Sequence, residues 1–340
     1  MIDWGLAERI ATGVSGTPSG GTALAGDLPA LAAEARERVV AYTRLTPARE
    51  IPAPEAVDRR EWLRLNLRSM RSMIQPLEDK LSGGGPLRAA GGLLLGAEIG
   101  GLTGYLSQRV LGQYELVLLD PESPERLLFV APNLREAARR LDVAEADLVA
   151  WVGIHEVTHA VQFTGVPWLR DHLAGELRAL LETVDVNVDM AKLPSLDDLR
   201  GAVDRLRDGG LVTLVAGPER MAILDRVQAT MAVVEGHAEH VMDAVGEELL
   251  PALPELRSAL DRRRSEKPLA FKLLERLIGL ELKMRQYELG RAFCDGVVER
   301  EGIEGLNRVW LTPDNLPTLA EIEAPEAWLA RTATPSLPRA

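Results

Sequence analysis

The pentad His155-Glu156-Val157-Thr158-His159 constrains this chain more than any other feature. Residues four apart on a helix project from one face about a turn from each other, so both imidazoles can reach a single metal ion while Glu156 falls beside it. The residue types suit that arrangement. Two neutral imidazoles bind a divalent cation, and a neighbouring carboxylate can take a proton from a water held there. The spacing encodes a nucleophile and its base together, provided the segment is helical.

The flanking residues predict that it is. Asp142 followed by Glu145 is a helix-start signal, and Gly165 with Pro167 is a stop signal, which gives a helix over 143–164. Leu148, Val152, His155, His159 and Gln162 share one face of it. Val149, Ile154, Val157, Ala160 and Val161 cover the others, so the helix is expected to be buried. Two core histidines with Glu156 in an ion pair form the structural alternative. Burying those three groups without a metal or full hydrogen bonding is costly, which weighs against it.

A hydrolytic site on this pentad needs one more protein ligand and an open position for water. One extended pattern requires a Gly at position 162 and a His at position 165, where the chain has Gln162 and Gly165. Another requires a Glu at position 178, where it has Arg178. Glu235, in Val233-Val234-Glu235-Gly236-His237-Ala238-Glu239-His240, is the leading candidate, on a helix expected from Pro218 to near Gly246. Glu239 lies one turn on, where it can accept a hydrogen bond from a ligating imidazole. Both carboxylates could also be solvent-facing members of an ordinary amphipathic helix. His172 is the rival ligand, or a substrate-binding group. His237 lies well around the helix from Glu235 and is not expected to share its metal.

Composition excludes several other functions. The formal net charge of −12 repels phosphate backbones and anionic membranes, so nucleic acid and membrane surfaces are not expected partners. Cys294 is the only cysteine, so no intramolecular disulfide forms, and a reducing cytoplasm is the expected compartment. The first residues carry no basic region followed by an apolar run, so no secretory signal is read. Cys294 has no placed His partner, and there is neither a Gly-x-Ser-x-Gly elbow nor a dinucleotide-binding glycine fingerprint after a strand.

The remaining sequence reads as mainly α with a small β element. Residues 89–106 are apolar and carry Gly92, Gly96, Gly100 and Gly104 at every fourth position, a smooth stripe against which another backbone can pack. Glu98 sits centrally, so a buried helix is expected rather than a membrane span. Tyr114 to Leu119 and Arg126 to Ala131 read as a hairpin or a pair of edge strands. Further helices are expected over Leu173–Val188, Leu196–Arg207 and Phe271–Glu299. Pro313, Pro317 and Pro325 then punctuate an irregular segment anchored by Trp310 and Trp328. This organisation predicts a helical N-terminal domain with a short hairpin over 1–141, a catalytic helical domain over 142–331, and a frayed tail over 332–340.

HEVTHAVQF at 155–163, PWLRDHL at 167–173, VVEGHAEHVMDAVG at 233–246, VLGQYELVL at 110–118 and NRVWLTPDNLPTLAEIEAPEAW at 307–328 together resemble the zincin-like metallopeptidases often labelled as associated with deazaflavin coenzyme biosynthesis. The resemblance spans nearly the whole chain and implies a zincin-like catalytic region behind a helical N-terminal domain. A looser similarity is to gluzincin peptidases, in which a Glu on a later helix completes the zinc site and an acidic residue one turn on supports a ligand. Glu235 and Glu239 match that arrangement, with Glu in place of the usual Asp at the second position. The same similarity implies that the strand over Arg126–Ala131 pairs with an extended substrate.

The expectation is therefore a Zn2+-dependent hydrolase acting on a peptide or protein. His155, His159 and Glu235 hold the ion, Glu156 is the base, and Tyr287, His240 or His172 stabilises the oxyanion. A noncatalytic peptide-binding module with structural zinc is the competing reading. An intact Glu156 weighs against it, because a structural site needs no base beside the metal.

Overall fold

The computed structural model describes residues 2–16, 21–80, 86–183, 218–249, 254, 256–258 and 280–333. Two compact units divide the chain: Met1–Gly165 with Val245–Arg263, and Val166–Ala244 with Arg264–Ala340. The architecture is mainly α with one small sheet.

In the first unit, α1 (Trp4–Ser15) and α4 (Pro86–Ser107) pack along the glycine stripe. A Cβ added at Gly96 would lie 2.5 Å from the carbonyl oxygen of Asp3, and one at Gly104 would lie 2.7 Å from that of Ala11. At Gly100 it would collide with the backbone of Ala7. The stripe therefore brings two backbones together, as its spacing predicts. Not all of α4 is buried: Leu93, Leu94 and Leu95 are exposed. The helix expected to be buried is therefore buried only in part. No described helix is long and apolar enough to cross a membrane.

The sheet has strand order β1-β3-β2, with β1 (Pro54–Val57) parallel and β2 (Gly112–Glu115) antiparallel to β3 (Arg126–Val130). Leu127, Leu128, Phe129 and Val130 have no exposed surface, as befits a central strand packed on both faces. The hairpin reading captured the β2–β3 pair. It did not capture β1, whose pairing makes β3 the middle of the sheet rather than an edge. An extended substrate therefore cannot pair with β3, since both of its edges are occupied.

Side chains from α2 (Leu28–Thr43) and α3 (Arg59–Lys80) complete this packing. On α3, the Trp62 indole donates to Gln113 Oε1 at 2.6 Å, and Asn66 shares hydrogen bonds with the same amide, which fixes β2 against that helix. Asn133, on α5 (Ala131–Leu141), donates to the carbonyls of Ser107 and Val110 and so holds the entry to β2.

Asp142 closes α5. It adopts a left-handed conformation (φ 56°) and its N–H returns to the Ala138 carbonyl. The residue read as a start signal is thus a stop, a role that Asp tolerates because its short polar side chain suits left-handed backbone. The next helix, α6 (Glu145–Gly165), begins a turn later with Glu145 and Asp147 at its positive end.

The second unit contains α7 (Leu169–Thr183), α8 (Pro218–Leu249) as far as Ala244, and α9 (Leu280–Asn307), the last kinked at Gly302 with φ 69°. A Cβ at Gly236 would strike the backbone of Gly290, and one at Gly290 would strike that of Ala232, so α8 and α9 touch main chain to main chain. Two 3-10 turns, Arg308–Trp310 and Pro313–Asn315, lead to α10 (Leu319–Glu323) and α11 (Pro325–Thr332). Trp328 is fully buried, edge-on to Phe293, and its indole donates to the Asn315 carbonyl at 2.7 Å. Trp310 is also buried, and its carbonyl accepts from Trp168. Both tryptophans therefore anchor the terminal segment. The helix expected over Leu196–Arg207 lies outside the described residues.

Two stability measurements follow from this packing. Gly100→Ala should destabilise the protein by about 1–3 kcal/mol, because α1 or α4 must shift to admit the methyl group. Gly101→Ala, where nothing lies within 4 Å, should be neutral or stabilising by up to about 1 kcal/mol through helix propensity. Chemical denaturation of the two variants checks the contrast.

Glu321 forms a capping box with Thr318 and an ion pair with Arg331 at 2.6 Å. Burial pushes its carboxyl up, but hydrogen bonds from Arg331 and Thr318 outweigh that and leave it below the ordinary value. A carboxyl lowered on folding stabilises above its unfolded value, and the contribution disappears as pH falls through the folded one. Glu321→Gln should therefore be less stable by roughly 1 kcal/mol at neutral pH, with the gap closing below about pH 4.

Candidate metal centre

The pentad sits in α6, so the helical premise of the motif holds. Residues 148–164 are largely buried around it: Leu148, Val149, Ile154, Val157, Ala160 and Val161 are each at most 1% exposed. Thr158 returns its hydroxyl to the Ile154 carbonyl at 2.7 Å and so adds no unmatched polar group to this interior. His155 is half-buried and His159 is 8% exposed. Their rings meet edge-on at 4.7 Å between centroids, with the two Nε2 atoms 3.3 Å apart. One face of one helix thus directs two imidazole nitrogens to the same place.

Glu156 is 8% exposed, and its Oε2 accepts the Tyr114 N–H at 2.7 Å. The strand makes this possible. Leu111 gives its carbonyl to Val130, so alternation along β2 turns the Tyr114 N–H away from β3. Gly112 lets the strand come close: a Cβ there would lie 2.7 Å from Glu156 Cγ, 3.0 Å from Glu156 Oε1 and 2.6 Å from Val152 Cγ1. The Tyr114 ring packs on Phe163 of α6, 6.0 Å between centroids. Burial and the Glu125 carboxylate push its hydroxyl well above the ordinary tyrosine range.

One ligand atom from each of His155, His159 and Glu235 lies within 4.8 Å of the others, a group that could hold a metal ion. Two imidazoles and a carboxylate are a donor set that suits zinc, so these residues fit the ion the motif implies. Among the described residues no other trio of His, Cys, Asp and Glu meets the same criterion, and His172 is not part of this one. His172 instead sets its ring edge-on to Trp168 at 5.8 Å. Glu239 is half-buried on α8, one turn beyond Glu235.

His240 Nδ1 lies 2.6 Å from Asp295 Oδ1, so α9 orients this imidazole. Burial raises the Asp295 carboxyl, but the bond from His240 and the Arg291 guanidinium bring it below the ordinary value. His237 is fully buried, edge-on to Trp310 at 5.4 Å. The Tyr287 side chain lies outside the described residues. Cys294 is fully buried, and burial pushes its thiol well above the ordinary value, the state of an inert core thiol.

Sequence reasoning missed Gly112, the Tyr114 N–H and Asp295. Asp295 lies within the helix expected over Phe271–Glu299, where nothing local marks one carboxylate as the partner of a distant imidazole. A main-chain donor leaves no trace in residue identity.

A protein-family model described as zincin-like metallopeptidase matches residues 2–329. A crystal structure of a protein from Chloroflexus aurantiacus, provisionally assigned as a hydrolase and described as having a novel fold, is 31% identical in sequence. The alignment covers 99% of this chain and 100% of that one, with a TM-score of 0.74. No curated protein matches the chain. The family implies a metal, usually zinc, and together with the structural neighbour it supports a metal-dependent hydrolase in general. With nearly its whole length matched, the chain belongs to the zincin-like metallopeptidase family.

Proposed function

We propose that the protein is a zinc-dependent peptidase in which His155, His159 and Glu235 hold the ion and Glu156 is the general base. The observation that carries this reading is the closeness of those three donors on and beside a helix whose intervening carboxylate is fixed by a backbone N–H. When bound, zinc supplies a lowered water pKa and polarises the carbonyl under attack.

The chain's own groups do the rest. Glu156 takes the proton of the attacking water and returns it to the leaving amine, while its hydrogen bond to Tyr114 keeps the carboxylate from rotating away. Glu239, a turn from Glu235, is assigned the support of a ligating imidazole. The oxyanion donor is assigned to His240, because Asp295 gives that imidazole the fixed orientation such a donor requires. The substrate is a peptide or protein, and β3 is not the strand that pairs with it. A lone buried Cys294 suits a reducing cytoplasm.

Two experiments test this reading. Elemental analysis of the wild type and Glu156→Gln should find about one zinc per chain in both, whereas cleavage of a peptide mixture should fall by at least about 100-fold in the variant. Zinc retained by both without product from either would instead support a binding module. Gly112→Ala should lower kcat about tenfold or more with zinc retained, because the methyl group displaces the base and leaves the ligands in place. Unchanged kcat in that variant would remove Tyr114 and β2 from the account.

A further inference from the structure

A cavity of about 320 Å³ lies between α3 and the segment that carries β2 into β3. It is separate from the metal centre. Tyr114 packs its ring on α6, whereas the next residue, Glu115, bonds to Ser69 of α3, and successive strand residues point to opposite faces. Leu65, Arg68 and Ser69 line it from α3, and Glu115, Asp120 and Arg126 line it from the strands and their connection.

Glu115 sets the chemistry of this cavity. Its side chain is buried, at 5% exposure, and one carboxylate oxygen accepts the Ser69 hydroxyl at 2.5 Å. The other oxygen, Oε2, is buried and none of the described residues donates to it, while Glu115 is among the residues that line the cavity. A buried carboxylate oxygen without a donor is costly. Arg126, the nearest source of positive charge on the strands, is already engaged: its Nε and Nη2 bond Glu55 at 2.9 and 2.5 Å, and Glu61 lies 3.5 Å away. Arg68 stands exposed on the wall and makes no ion pair among the described residues.

We infer that this cavity binds a small zwitterion, a free α-amino acid, with its ammonium on Glu115 and its carboxylate on Arg68. An ammonium supplies the donor that Oε2 lacks, and Asp120 adds a second acidic group to the same wall. The guanidinium of Arg68 offers the paired donors that match a carboxylate. Leu65 and Val117 give an apolar surface for the side chain. The volume suits such a ligand, since it falls in the range of small-molecule pockets and far exceeds the roughly 30 Å³ taken by one water. The inference does not depend on the metal or on peptidase activity.

Isothermal titration of the full chain with L-leucine, N-acetyl-L-leucine and L-leucinamide tests it. Saturable binding of one L-leucine per chain is expected, weakened at least about tenfold by acetylating the amine or amidating the carboxylate. Glu115→Gln should weaken L-leucine binding similarly. Arg68→Ala should weaken L-leucine while leaving L-leucinamide unchanged. Absence of saturable L-leucine binding, or equal binding of the acetylated form, would overturn the assignment. The three ligands on wild-type protein decide the matter even if Glu115→Gln does not fold.

Discussion

The hydrogen bond from the Tyr114 N–H to Glu156 ties the chemistry to the architecture. A carboxylate in the interior of an apolar helix needs a partner, and α6 cannot supply one because its own N–H groups are spent on the helix. The partner comes from a strand that must approach within contact of the helix, and that approach requires Gly112. The strand in turn is held by Gln113 against Trp62 and by Asn133 at its entry. Much of the first unit can be understood as the support of one backbone donor.

Close main-chain contact at glycine is the recurring means. Gly96, Gly100 and Gly104 seat α4 on α1, Gly112 seats β2 on α6, and Gly236 with Gly290 seats α8 on α9. Gly236 directly follows Glu235, so the candidate ligand projects from a stretch of helix whose backbone is pinned to its neighbour. A ligand that must arrive within a few tenths of an ångström benefits from such rigidity, because a mobile element would spend binding energy on being ordered.

What the sequence disclosed follows physical range. The imidazole pair was legible because its geometry is local: once α6 is helical, His155 and His159 meet. The glycine stripe was legible for the same reason, although not the exposure of Leu93, Leu94 and Leu95 on the same helix, which depends on what packs elsewhere. The strand β1 was not legible, since four residues beginning with Pro54 carry little signal and their parallel pairing with β3 is non-local. Asp142 was misread because the same residue type starts one helix or ends another according to the sign of φ. Glu235 could be nominated by chemistry and spacing, but only a fold can bring a distant carboxylate toward a particular pair of imidazoles.

A crystal of the protein prepared with zinc, recorded on both sides of the zinc absorption edge, tests the central claim most directly. The account predicts one anomalous peak within about 2.0–2.2 Å of a nitrogen of His155, a nitrogen of His159 and an oxygen of Glu235. A peak bound by His172 in place of Glu235, or no peak at the paired imidazoles in a zinc-saturated crystal, would contradict it.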